Sequence, residues 1–172
     1  MASPFPKAPR VAQPASRTLA LTVATARGVH RIPAGTTKNL PLGLLSRDVG
    51  VVTRDPGGRF LAGTWGGGAY ESANGTDWTE LAIDARDVWC FAFGPDGATY
   101  AGVEPAAVHR LGEDGAWTSL SALQAAPGAE EWSSPWGAAD LSAILPHPDD
   151  PQKLWVGIEV GGCYGTEDGG VS

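Results

Sequence analysis

Apolar residues in this chain come in short bursts broken by turn signals, the pattern of strands and not of helices. Three stretches carry it: "VGVVTRDPGGRFLAGT" from Val49, "WCFAFGPDGATYAGV" from Trp89 and "SAILPHPDDPQKLWVGI" from Ser142. Each is an apolar run, a turn built on Asp-Pro, Pro-Asp-Gly or Asp-Asp-Pro, and a second apolar run. Proline presets φ for the turn and Asp or Gly accepts the tight geometry after it, so each stretch predicts a β-hairpin.

The second run of each hairpin belongs to a repeat. "RFLAGTWGGGAYES" from Arg59, "TYAGVEPAAVHRL" from Thr99 and "LWVGIEVGGCYGT" from Leu154 superimpose without gaps over their first half. A weaker copy, "LALTVATARGVHRI" from Leu19, has Val23 where the others have a central glycine, Gly63, Gly102 or Gly157. These central positions are 40, 39 and 55 residues apart, against about 40 to 50 residues for one four-stranded propeller blade. The excess in the last spacing is the segment 121–140, predicted to be a long inter-blade insertion. The pattern therefore predicts an all-β fold: an incomplete arc of about three to four blades of a six- or seven-bladed β-propeller, spanning residues 18–172. Residues 1–17, with four prolines, are expected to be a disordered tail.

After each second strand comes a turn that ends in tryptophan, "SANGTDW" with Trp78 and "LGEDGAW" with Trp117. The last copy is "TEDGGVS", whose aromatic would be due at about position 173. The expectation is a piece of a longer propeller, cut inside its last such turn, that self-associates through unpaired blade edges. These turns resemble the Asp-box of the BNR repeats, with Asn74, Trp78, Asp114, Trp117, Asp168, Gly169 and Gly170 in the motif positions. The blades as a whole resemble the WD40/YVTN/BNR-like repeat proteins, sialidase-like propellers. That resemblance implies Asp-boxes that lock hairpin turns on the rim, away from any active site.

Composition narrows the function. Glycine (24), proline (14) and tryptophan (7) are abundant among 172 residues, and charged residues make up 18%. A net charge of −7 and no basic cluster argue against nucleic acid as a partner. No apolar run approaches the roughly 20 residues of a spanning helix, so no membrane partner is expected. Cys90 and Cys163 lie in strand-like stretches without metal-ligand spacing and read as two buried free thiols, with one disulfide as the alternative. No metal or cofactor is expected. The chain is read as cytoplasmic, or as secreted if residues 1–26, ending near "ATA", act as a signal peptide.

Candidate binding residues follow from repeat equivalence. Glu104 and Glu159 stand two residues past the central glycine, where the preceding copy has Trp65. Equivalent positions of a propeller share radius and height, so these three are expected on one face, in a pocket for a sugar or other polar ligand. Trp132 and Trp136 sit in the Gly/Pro/Ser-rich insertion, where a rigid scaffold tends to carry binding function, and are expected to be more accessible than Trp78 and Trp117. Arg31-Ile32-Pro33 matches the sialidase Arg-Ile-Pro motif, whose arginine the resemblance implies for carboxylate binding. Arg31 also aligns with Arg110 as an ordinary strand residue, and no arginine follows Arg110. His30 and His109 alternate with Tyr70 and Tyr164 at one repeat position, and His147 lies in a Pro-rich turn; none has the setting of a metal ligand. The function expected is a non-catalytic binding or scaffold module for a glycan or protein ligand. The alternative is a sialidase-like glycoside hydrolase, incomplete in this chain.

Overall fold

A computed structural model describes residues 19–172. The expected tail, 1–17, lies outside them. The part of the alternative leader that is described contains a strand, Leu21–Thr25. Among the described residues there is no α-helix, and so none long and apolar enough to cross a membrane.

Fourteen strands form four antiparallel sheets, one per blade. Blade one holds β1 (Leu21–Thr25), β2 (Gly28–Ile32) and β3 (Leu40–Gly43). Blade two holds β4 (Val49–Arg54), β5 (Phe60–Thr64), β6 (Ala69–Ser72) and β7 (Thr79–Glu80). Blade three holds β8 (Asp87–Phe93), β9 (Thr99–Glu104), β10 (Ala107–Leu111) and β11 (Trp117–Ser119). Blade four holds β12 (Leu141–Pro146), β13 (Leu154–Ile158) and β14 (Gly162–Thr166). Each sheet runs in sequence order, so every connection is a hairpin and the blades follow one another along an open arc. By the repeat, β1 corresponds to the second strand of a full blade and β14 to the third. β8 packs on β4 and β12 packs on β8, which makes the first strand of blades two to four the inner one.

The apolar faces meet between blades, and the core is three separate clusters, one for each junction. Val29, Val49 and Ala62 join blades one and two; Ala69, Val88, Ala101 and Val103 join two and three; Tyr100, Val108, Leu141, Leu154 and Val156 join three and four. Two repeat features allow this. All three inner strands carry an irregularity at the same place, between Val49 and Val51, Val88 and Cys90, and Leu141 and Ala143. Such a bulge turns the strand toward its neighbour. The central glycines Gly63 and Gly102 then lie against the backbone of the next inner strand, at Val88 and Leu141, where no side chain fits.

The tryptophan turns close the outer strands. Asn74 Oδ1 accepts the amides of Thr76 and Asp77, both at 2.9 Å, while Trp78 packs across the first junction and donates to the Gly75 carbonyl at 3.0 Å. Trp117 packs likewise at the second junction. Asp168 repeats Asn74, its Oδ1 accepting the amides of Val171 and Ser172 at 3.0 and 3.2 Å. The corresponding place at the third junction is an apolar cavity of about 470 Å³, lined by Val108, Leu120, Leu154, Val156 and Tyr164.

Cysteine burial differs from expectation. Both thiols are free, but only Cys90 is partly buried, donating to the Leu141 carbonyl at 3.4 Å, whereas Cys163 is exposed because β14 is an edge strand with one face uncovered.

Candidate functional site

One end of each inner hairpin repeats the same pairing. Asp48 precedes β4, Asp87 begins β8 and Asp140 precedes β12. Beside them stand the residues at the end of the second strand. The Trp65 amide donates to the Asp48 carbonyl at 2.9 Å, the Glu159 amide donates to the Asp140 carbonyl at 3.0 Å, and Glu104 pairs with Asp87 in the ladder. The Asp positions were not singled out by the sequence reading, although "RDV" at 47–49 and again at 86–88, then "ADL" at 139–141, marks them.

The predicted acids converge on one of these residues. Asp140 is 3% exposed. Burial, a hydrogen bond with Glu159 and the negative charges of Glu159 and Glu104 push its carboxyl up to about 6. Its Oδ1 has no hydrogen-bond partner. The tip of the insertion comes down beside it: Ser134 and Gly137 form an isolated bridge, and a β-carbon on Gly137 would lie 3.5 Å from Glu104 Oε1. Trp136, 90% exposed, projects from that tip. One junction back, Trp65 lies over Gly50 and against Trp89, with ring centroids 5.2 Å apart.

The two insertion tryptophans are not a pair. Trp132 folds back onto blade four, where its Nε1 donates to the Tyr164 hydroxyl at 3.0 Å and its ring meets the tyrosine edge-on at 5.0 Å. It is half-buried, as Trp78 and Trp117 are, so the expected greater accessibility holds for Trp136 and not for Trp132. Arg31 is exposed and pairs with Thr22, toward the end of the hairpin opposite Thr25. Thr25 is the repeat equivalent of Trp65 and Glu104, so the strand register holds Arg31 away from the acidic end. The turns of Asn74, Asp114 and Asp168 likewise sit at the far ends of their strands: Ser72 pairs with Phe60, whereas Ala69 pairs with Gly63 near Trp65.

His109 and His147 have structural settings. His109 is buried and held neutral by desolvation, which lowers its pKa. His147 Nδ1 accepts the Asp149 amide at 3.1 Å within its turn. Among the described residues, no group of three or more His, Cys, Asp or Glu side chains has the geometry to hold a metal ion.

No protein-family model and no curated protein matches the chain. Solved structures do. YCF48 with a bound D1 peptide is 17% identical at a TM-score of 0.57, over 83% of this chain and 45% of that one. The extracellular domain of a hybrid two-component system from B. thetaiotaomicron gives 16% and 0.62, over 86% and 18%. The GH74 xyloglucanase from Xanthomonas campestris gives 17% and 0.57, over 88% and 27%. The chain spans less than half the length of each of these proteins. At such identities the likeness establishes the fold and no more: this chain is an arc of a β-propeller.

Proposed function

We propose that the chain is a non-catalytic propeller module that binds a protein segment at the acidic end of its inner hairpins. The observation that carries this is the convergence of Glu104, Glu159 and Asp140 beside the insertion tip that carries the exposed Trp136. Charged hydrogen-bonding groups beside an exposed aromatic suit ligand recognition. The likeness to YCF48, whose structure holds a peptide, fits a peptide ligand, while the equal likeness to a xyloglucanase leaves a glycan as the alternative. We read the tryptophan turns as Asp-boxes of BNR type, which hold the outer strands and leave the opposite end free for the ligand. Self-association through the free edges of the terminal blades belongs to the same proposal.

One observation favours glycoside hydrolysis as a second reading. Asp140 beside Glu159 is a carboxyl whose affinity for its proton is raised, next to a second acid, and such a pair is what glycosidases use. A peptide array probed with the chain, run beside hydrolysis assays on a fluorogenic sialoside and on xyloglucan oligosaccharides, separates the two. Peptide capture that weakens in Glu104→Gln and Glu159→Gln, without hydrolysis, is expected. Turnover abolished by Asp140→Asn would replace the binding reading with the hydrolytic one.

A further inference from the structure

The repeat supplies an amide to the Asp carboxylate at one blade junction and withholds it at the next. Asp87 Oδ1 accepts the N–H of Gly66, from the loop that follows the second strand of the preceding blade. Just beyond, the Gly68 amide donates to the Arg86 carbonyl at 2.7 Å. At the third junction the Ala106 amide, one repeat position before the equivalent of Gly68, donates to the Ala139 carbonyl at 2.8 Å, so this loop too docks on the residue before the Asp, and Asp140 stands where Asp87 stood. The place of Gly66 is taken by Pro105, which has no N–H. Asp140 Oδ1 is therefore left without a donor in a side chain that is 3% exposed.

The surrounding charge changes in the same direction. Arg47 and Arg86 precede Asp48 and Asp87, but Ala139 precedes Asp140. The two arginines extend over the glycine loop of blade two, within 3.0 Å and 3.4 Å of where β-carbons on Gly67 and Gly66 would lie. Beside Asp140 stand Glu159 and Glu104, whereas Trp65 fills the corresponding place beside Asp48. A buried carboxylate with neither a donor nor a counter-charge is destabilising, and two neighbouring carboxylates increase the cost. The contact with Glu159 leaves Oδ1 unpartnered and adds no positive charge, so the missing donor and the missing charge point to a group from outside.

We propose that Asp140, Glu159 and Glu104 form the recognition site for an arginine side chain of the bound protein segment. A guanidinium supplies the N–H that Pro105 cannot, and its planar fork of five donors can reach several carboxylates at once. It is also weakly hydrated and stacks on aromatic faces, which suits a site beside the tip that carries Trp136. A single metal ion fits less well, because these acids do not stand at metal-ligand spacing. This inference rests on the binding-module reading and gives that site its ligand chemistry.

The test is calorimetric titration of the chain with N-acetyl-arginine methylamide, the matching lysine and citrulline derivatives, and calcium chloride. Citrulline keeps the shape of arginine without its charge. Saturable binding of the arginine derivative is expected, at least tenfold tighter than the citrulline derivative and tighter than the lysine one. Asp140→Asn, with its fold checked by circular dichroism, is expected to weaken binding at least tenfold. Pro105→Gly, which returns the amide, is expected to weaken it as well. Absence of binding, equal binding of citrulline, a preference for lysine, full affinity in both variants, or displacement of the arginine derivative by calcium would each overturn the proposal. An array peptide that lacks arginine and binds Asp140→Asn undiminished would overturn it while leaving the module reading in place. Failure of every array peptide would count against both.

Discussion

A β-carbon placed on Gly102 would stand 2.6 Å from the carbonyl oxygen of Leu141. That distance explains the central glycine of the repeat: it is where the inner strand of one blade lies on the second strand of the blade before it. Gly157 holds the same repeat position in blade four, yet its nearest such neighbour is the Ala143 side chain at 3.5 Å. Gly102→Ala is expected to cost about 1–3 kcal/mol by overpacking a junction that cannot yield. Gly157→Ala is expected to stay within about 0.5 kcal/mol of the parent. Urea denaturation of the two variants checks the contrast, and equal losses would show that the glycine serves its own strand and not the junction.

Asp140 gives the stability of the chain a pH dependence of unusual sign for an acid. Its carboxyl is raised from 3.8 to about 6 by burial and by Glu159 and Glu104, so the fold favours the protonated form. The stabilisation is complete below about pH 4 and is lost as the pH rises through 6. Asp140→Asn stays neutral throughout. Its melting temperature is expected to exceed that of the parent by several degrees at pH 7.5, with the gap closing toward pH 4, as thermal melts across that range will show.

The two thiols should react very differently. Cys90 is desolvated, which pushes its pKa up to about 11, while Cys163 is exposed. Thiolate is the reactive form, so an aromatic disulfide reagent at pH 8 should modify one thiol per chain rapidly and the second only on unfolding. Cys163→Ser is expected to remove the fast phase and Cys90→Ser to leave it intact.

Acrylamide quenching separates the insertion tryptophans. Trp136 is 90% exposed, whereas Trp132 is held on Tyr164. Trp136→Phe should lower the accessible fraction of the fluorescence, and Trp132→Phe should not.

The strands, their order and the blade period were legible because hairpin turns and central glycines are local signals tied to one repeat. The turn residues Asn74 and Asp168 were legible too, since their side chains accept amides two to four residues away. Equivalence of Glu104 with Glu159 placed both at the same end of their hairpins. Asp140 escaped notice because its special status is not local: it depends on a proline from the preceding blade and on the absence of an arginine that its counterparts have. Arg31 misled in the opposite way. Its three-letter motif matched, but strand register decides which end of a blade a residue reaches. The fold-back of Trp132 depended on Tyr164, 32 residues away on the third strand of the following hairpin pair, β14.

The central claim is that the ligand is taken at the acidic end of the inner hairpins and not at the tryptophan turns. Amide chemical-shift mapping with an arginine-containing peptide selected on the array tests this most directly. Shifts are expected at Trp65–Gly66, Asp87–Trp89, Glu104–Ala106, Trp136–Asp140 and Glu159. Shifts confined to the turns around Asn74, Asp114 and Asp168 would place the binding surface on the opposite rim and contradict the claim.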